Sequence, residues 1–392
     1  MPTDPEQQFD GNQVCVIAFY LPQFHPIQEN DLWWGPGFTE WTNVARARPL
    51  YPGHYQPRLP GELGFYDLRL SDTREAQATL AAEHGVSAFC YWHYWFGGGR
   101  RLLERPFDEV LASGRPDFPF CLGWANQTWS GIWHGTPSRV LIEQTYTNLD
   151  GERDYRDHFE AVLPAFMDAR YLRVDGRPLF LVYEPSDLPE PQRFLDLWRN
   201  WAADAGLPGI FFVGRTETTG RSSNADFDAF TPERVPPRII ARYDWPRRIA
   251  RKVGVPPVRS YRRFSENTPL GIADGPSFPT VMPGFDNTPR SGAGGVVLHG
   301  AEPLIFESQV ARTVAHVIAR QPVGRRVIFV KSWNEWAEGN YLEPDRRYGR
   351  AYLEALAKGI AQGSAATLQQ ISTQNTPRFE RDTPGDTTSR AG

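Results

Sequence analysis

The chain has 392 residues and a formal net charge of −4, so it lacks the basic footprint of a nucleic-acid binder. Its first apolar run, residues 14–21, is too short to span a membrane and follows no basic segment, which predicts a cytoplasmic chain with no integral membrane segment. Cys15, Cys90 and Cys121 each sit in an apolar run and cannot all pair with one another; buried thiols in a reducing compartment are expected.

In chain order, residues 1–12 are polar and read as a flexible N-terminus. Residues 14–22 form a buried strand stopped by Pro22. Residues 23–70 follow without period, rich in Trp, Gly and Pro, and they contain Trp34, Glu40 and Trp41. An insertion of this length in a compact domain is usually functional, so Glu40 and Trp41 are either lid contacts or simple packing. From residue 72 onward helix and strand alternate: helix 72–84, strand 86–96, helix 102–112, strand 118–124, helix 152–172, strand 179–183, helix 192–205, and strands 210–213 and 227–230. Residues 234–276 are rich in Arg and Pro and give no pattern. A strand at 278–282, a helix at 304–320, a strand opening at Val327 and a helix at 348–360 complete the series. Residues 363–392 read as a disordered tail.

Eight strands, mostly separated by helices, predict a single (β/α)₈ barrel over residues 13–362 with long strand-to-helix loops; a doubly wound sheet is the alternative. The barrel is favoured because polar and aromatic residues recur where strands end: Tyr20, His93, Trp124, Asn126, Asp286 and Glu335. In a barrel those ends converge on one face, where barrel enzymes hold their active sites. His93 and Trp95, within the run Tyr91 to Trp95, are expected as a pair pointing inward. Asp286 and Asn287 would either bind hydroxyls or stabilise a turn.

The most informative stretch is Trp333-Asn-Glu-Trp-Ala-Glu-Gly339, which follows the apolar run 327–330. A strand end that delivers Glu335 and Glu338 among Asn334 and Trp336 builds a poor core. It suits work on a sugar, because one carboxyl group can hold a proton while the other accepts one, and indole faces stack on pyranose rings. No metal or cofactor is expected: the cysteines and histidines show no ligand spacing, and Gly292-Ala-Gly-Gly295 lacks the dinucleotide-loop spacing. Asp226-Phe-Asp228 is a cheap match to the acidic motif of metal-dependent transferases.

Several runs together resemble a known family: Ala18-Phe-Tyr-Leu-Pro-Gln-Phe-His25, Gly37-Phe-Thr-Glu-Trp-Thr-Asn43, Tyr55-Gln-Pro-Arg58, Leu63-Gly-Phe-Tyr-Asp67 and Trp333 to Gly339. They are similar to the WbsX-type glycosyltransferases of bacterial surface-polysaccharide loci, also described as glycoside hydrolase family 99-like. The resemblance spans roughly residues 14–360 and thins at 231–276. The hydrolase family implies a (β/α)₈ barrel and retaining, endo-acting α-mannosidases. A Glu-Trp-x-Glu motif there supplies a base for the substrate's own 2-hydroxyl and an acid for the leaving group; Glu335 and Glu338 match those positions. Two positions depart: Gln127 stands where the pattern usually has Glu, and Lys331 where it usually has Asn. Lys331 could hold Glu335 ionised, which would leave Glu338, shielded by Trp336, as the protonated acid.

The expectation is a retaining, metal-independent enzyme that cleaves or transfers a glycosidic bond in an oligosaccharide or polysaccharide, in O-antigen or lipopolysaccharide metabolism. The rivals are a nucleotide-sugar-dependent glycosyltransferase and a non-catalytic glycan-binding barrel.

Overall fold

The computed structural model describes residues 14–131, 136–146, 152–217, 220–233, 254–273 and 275–374. Eight parallel strands form the central sheet: β1 Cys15–Tyr20, β2 Ala88–His93, β3 Phe120–Trp124, β4 Arg177–Val182, β5 Phe211–Thr216, β6 Ala229–Pro232, β7 Thr280–Val281 and β8 Val327–Val330. Their order around the sheet is β7-β8-β1-β2-β3-β4-β5-β6. The ring closes where the Phe230 N–H donates to the Pro276 carbonyl (3.0 Å) and the Phe278 N–H donates to the Phe230 carbonyl (2.9 Å). The protein is therefore a (β/α)₈ barrel, as the alternation of elements predicts. Both sheet faces are covered, so the strands read as continuous apolar runs and nearly all their residues are buried.

The helices fall close to the predicted spans: Ser71–Glu83, Arg105–Ser113, Arg153–Met167, Pro191–Asp204 and Pro303–Arg320. Two elements differ from expectation. The aperiodic stretch after β1 carries two short helices, Gln28–Trp34 and Glu40–Arg46. The last helix runs Ala351–Gln374, well past Gly363, where a disordered tail was expected to begin. The reason is close helix packing. A Cβ on Gly359 would stand 2.7 Å from the Glu307 carbonyl, and one on Gly363 would collide with the Ala311 carbonyl. These glycines let the last helix lie directly against Pro303–Arg320, and Thr367, one turn further on, is buried. Residues 1–13 and 375–392 lie outside the described residues, as do 234–253 and 274 of the stretch that gave no pattern.

The barrel interior is filled by aromatic layers. Phe19 stacks between Trp92 (centroids 4.7 Å apart) and Phe329 (5.0 Å). Gly123, on the neighbouring strand, makes room for that layer, since a Cβ there would stand 3.1 Å from the Trp92 ring. The layer forms a floor above which the ends of the strands open into a cavity.

Candidate active site

A cavity of about 630 Å³ lies at the C-terminal ends of the strands. β8 ends at Val330. The cis Lys331–Ser332 peptide and a short antiparallel pairing of Asn334–Glu335 with Asn340–Tyr341 then lead the chain across the barrel mouth. The Ser332 hydroxyl accepts the Glu335 N–H (3.0 Å) and donates to the Asn340 carbonyl (2.7 Å), which fixes the turn. Glu335 and Glu338 both project from it into the cavity.

Arg290 holds the carboxylates together. Its guanidinium reaches Glu40 (Nε, 2.6 Å), Glu338 (Nη1, 2.7 Å) and Glu335 (Nη2, 3.5 Å), and all four side chains are at least nine-tenths buried. These surrounding anions push the Arg290 pKa up despite its burial. Trp92 Nε1 donates to Glu335 (3.2 Å), and Asn340 Nδ2 donates to Glu338 (3.4 Å). Lys331 pairs with buried Glu233 (2.7 Å) and lies 4.0 Å from Glu338.

The two glutamates therefore sit in different environments. Burial, and next the charge of Glu338, push Glu335 up to about 7, while Arg290 and Lys331 pull it down less. Glu338 receives the close Arg290 contact and the nearer approach of Lys331, and both cations favour its anion. The surroundings differ from the expected ones at two residues. Lys331 is spent on Glu233 and turned toward Glu338, not Glu335. Trp336 does not shield Glu338 either: it is stacked on Tyr341 (3.9 Å) and donates to Glu343 (2.6 Å) behind the turn.

Trp34 and Glu40, among the expected substrate contacts, line the cavity; the others do not. The parity of the β2 end is reversed from expectation. Trp92 and Tyr94 face the cavity, whereas His93 bonds to His158 (2.9 Å) on the helix Arg153–Met167 and Trp95 stacks on the same imidazole (4.7 Å). Burial there lowers the His93 pKa to about 3, so it is neutral. Trp124 joins this outer cluster and donates to the Trp95 carbonyl (3.0 Å). Asn126 fastens the β3 and β4 ends through the Glu184 backbone (2.8 and 2.9 Å). Tyr20 also points outward and donates to Gln77 (2.7 Å). Trp41 caps the Tyr66 carbonyl (2.8 Å), and Asn334 clamps the Leu21 backbone in both directions (2.7 and 3.0 Å). Asp286 accepts from Gln56 (2.7 Å) and from Thr288 (2.6 Å) and pairs with His54 (2.8 Å), while Asn287 accepts the Val296 N–H (2.7 Å). Asp286 and Asn287 thus build the turn that presents Arg290.

Sequence reasoning missed several cavity residues. Arg290 sits in an ordinary Thr-Pro-Arg-Ser segment, one arginine among many. Asn30 is fully buried at the cavity wall, and its amide N and O find no partner among the described residues. No motif announced either residue. Gln127, the neutral departure noted above, does line the cavity. Asp228 of the acidic motif is taken up by Arg177 (2.7 Å) and Arg199 (2.9 Å), so it serves the outer wall.

A barrel with paired carboxylates among aromatics at its C-terminal face is the architecture of many sugar-processing proteins. The family model described as Glycosyltransferase WbsX matches residues 16–356, and the chain belongs to that family. A protein described as uncharacterised protein WxcX, from Xanthomonas campestris pv. campestris strain B100, is 43% identical over 364 residues, which cover 88% of this chain and 49% of that one. The WxcX of strain ATCC 33913 matches to the same extent. The chain thus spans about half the length of these curated relatives. Among solved structures, the GH99 endo-α-mannosidase from Bacteroides thetaiotaomicron, in complex with Bis-Tris propane, superposes with a TM-score of 0.53 at 13% identity over 92% of this chain and 99% of that one. A glycoside hydrolase-like protein gives 0.52 at 15% identity over 91% and 99%. At such identities the likeness is one of fold.

Proposed function

We propose that the protein is a carbohydrate-active enzyme that cleaves or transfers a glycosidic bond with retention, with Glu335 and Glu338 as its working carboxyl groups. The observation that carries this reading is the shared guanidinium of Arg290, which holds both carboxylates at one cavity while their surroundings separate their protonation. Two carboxylates within the span of one guanidinium favour the close spacing of retaining enzymes over the wider spacing that admits a water. Burial raises Glu335 to about 7, which suits a group that holds a proton for the leaving oxygen, and Arg290 (2.7 Å) and Lys331 (4.0 Å) beside Glu338 place two cations where a carboxylate would act. Glu335 would then protonate the leaving oxygen. Glu338 would assist at the sugar, by accepting the proton of a neighbouring substrate hydroxyl or by attacking the anomeric carbon.

Trp34, Trp92, Tyr94 and Trp129 offer ring surface to pyranose faces, and Asn30 offers an unpaired amide to hydroxyls. The wall carries Glu40, Asp187, Glu217, Glu335 and Glu338 against Arg290 and Lys331. This excess of carboxylates favours a neutral oligosaccharide over an acidic one. Membership of the WbsX family supports a role in bacterial surface polysaccharide metabolism. The three buried free thiols fit a reducing, cytoplasmic setting.

The family's description favours a second reading, transfer from a nucleotide sugar. One experiment separates the two: incubation with neutral surface glycans, with and without nucleotide sugars, followed by mass spectrometry. Products formed from glycan alone are expected. Products that require the nucleotide sugar would establish the transferase instead.

A further inference from the structure

A second cavity, of about 290 Å³, lies behind the wall that carries the catalytic turn. Phe285 and Glu338 face the first cavity, whereas Pro283 and Gly339 face the second. The wall is drawn tight by two contacts. The Asp286 N–H donates to the Glu338 carbonyl (2.6 Å), and Arg58 Nη1 donates to the Gly339 carbonyl (3.0 Å). Gly339 has φ +62°, and a Cβ there would press on Asp286 (3.0 Å) and Arg58 (3.1 Å), so the wall has no room for a side chain.

The second cavity is lined with aromatic rings that are not fully covered. Tyr51, Tyr55 and Tyr348 are half-buried, and His299, which is exposed, bonds to the Tyr51 hydroxyl (3.3 Å). Arg347, also exposed, lies over the Tyr55 ring (4.6 Å) and the Tyr348 ring (5.2 Å). The Asp345 carboxylate in this cavity is already occupied by the hydroxyls of Tyr341 (2.8 Å) and Tyr55 (3.3 Å) and by the backbone N–H groups of Arg347 (3.0 Å) and Tyr348 (2.6 Å). Arg58 Nε is buried and finds no partner among the described residues. The charge of Arg58 is met by Asp286 at 3.9 Å, and Glu302 stands opposite Arg347 in charge on the rim.

His54 stacks on one face of Tyr51 (4.5 Å), and Arg58 (5.6 Å) and Arg347 lie over Tyr55, so the half-buried rings, the unpartnered Arg58 Nε and a balanced charge suit a small ligand with an apolar face, acceptor oxygens and no net charge. We propose that this second cavity is a binding site for one neutral pyranose unit, separate from the cleft that holds Glu335 and Glu338. It rests on the reading that the protein handles saccharides. Its place against the Glu338 turn puts a bound sugar one wall away from the site of reaction, where a further unit of a long substrate could be held.

The test is ligand-observed NMR titration of the full chain with methyl α-mannopyranoside, methyl α-glucopyranoside and methyl α-rhamnopyranoside, with glucuronate as the charged control. Loss of ring stacking in Tyr51→Ala or Tyr348→Ala should weaken binding about three- to tenfold, and Glu335→Gln should not. Arg347→Ala, a substitution of an exposed side chain, should weaken it in the same direction without disturbing the core. Three results would each overturn the proposal: binding indifferent to all of these rim substitutions, tighter binding of glucuronate than of the neutral sugars, or no binding of any probe. If only Glu335→Gln weakens binding, the sugar sits in the cleft; the second site is lost and the reading of the cleft stands. If rim-dependent binding persists while no glycan is turned over with or without nucleotide sugars, the second site stands and the enzymatic reading falls.

Discussion

Glu335 and Glu343 lie eight residues apart on the same excursion of chain, and burial pushes each up to about 7. Their surroundings are nevertheless different in kind. Glu343 is closed in by neutral donors, Tyr66 (2.8 Å), Gln77 (2.6 Å) and Trp336 (2.6 Å), and it lines neither cavity. Glu335 shares a cation with two other carboxylates and opens onto the cleft. A raised pKa alone therefore marks burial; a raised pKa beside a second carboxylate on an open cavity marks a site. Glu343 ties the 333–339 turn to the β1 loop, and Glu335 is what that turn presents to the cavity.

The sharpest way to break this contrast is a pair of amide substitutions. Glu335→Gln should cost on the order of 10³-fold in turnover with little change in melting temperature. Glu343→Gln should place an NH₂ group against existing donors, cost about 1–3 kcal/mol of stability and leave turnover per folded molecule much nearer to normal. Turnover assays and thermal melts on the two variants decide it; equal losses of activity would erase the distinction. A second pair tests the parity of β2. Trp92→Phe removes the indole donor to Glu335 and should lower kcat several-fold or more, whereas His93→Phe should act on stability alone.

The pH dependence of stability sharpens the same comparison. A carboxyl group with a folded pKa raised to about 7, against an unfolded value near 4.5, binds more protons folded than unfolded between those values. Its stabilising contribution is complete below the unfolded value and is lost as the pH rises through about 7. The melting temperature should therefore fall from pH 5 to pH 8. Glu343→Gln should flatten that slope at any ligand concentration, including none. A slope unchanged by this substitution would show that Glu343 does not titrate as its burial implies. The smallest effect belongs to the last helix: a chain ended at Gln362 loses the buried Thr367 and should melt roughly 2–4 °C lower or more.

Much of the barrel was legible because strands buried on both faces leave continuous apolar runs, and those runs recur between helical periods. The same property hid the parity of the strand ends. Tyr91 to Trp95 are aromatic or imidazole on both faces, so alternation could not say which face looked inward. The outward face turned out to be packed as fully as the inward one, with His93, Trp95 and Trp124 gathered round His158. Glu335 and Glu338 were legible because two carboxylates within an aromatic turn have no use in a core. Arg290 was not, since it reaches them from 45 and 48 residues away along the chain through a turn built by Asp286 and Asn287. Residues from 363 onward read as a disordered tail because they show no hydrophobic pattern; the missing side chain of Gly363 is what admits the neighbouring helix and lets the last helix run on.

The central claim is that Glu335 carries the proton and Glu338 the negative charge. Its most direct test compares Glu335→Gln and Glu338→Gln on one natural glycan and on the matching activated aryl glycoside, whose leaving group needs no proton. The account predicts that Glu335→Gln fails on the glycan but retains most of its turnover of the aryl glycoside, while Glu338→Gln fails on both. The opposite pattern, with Glu338→Gln rescued by the activated leaving group and Glu335→Gln inactive on both, would contradict it.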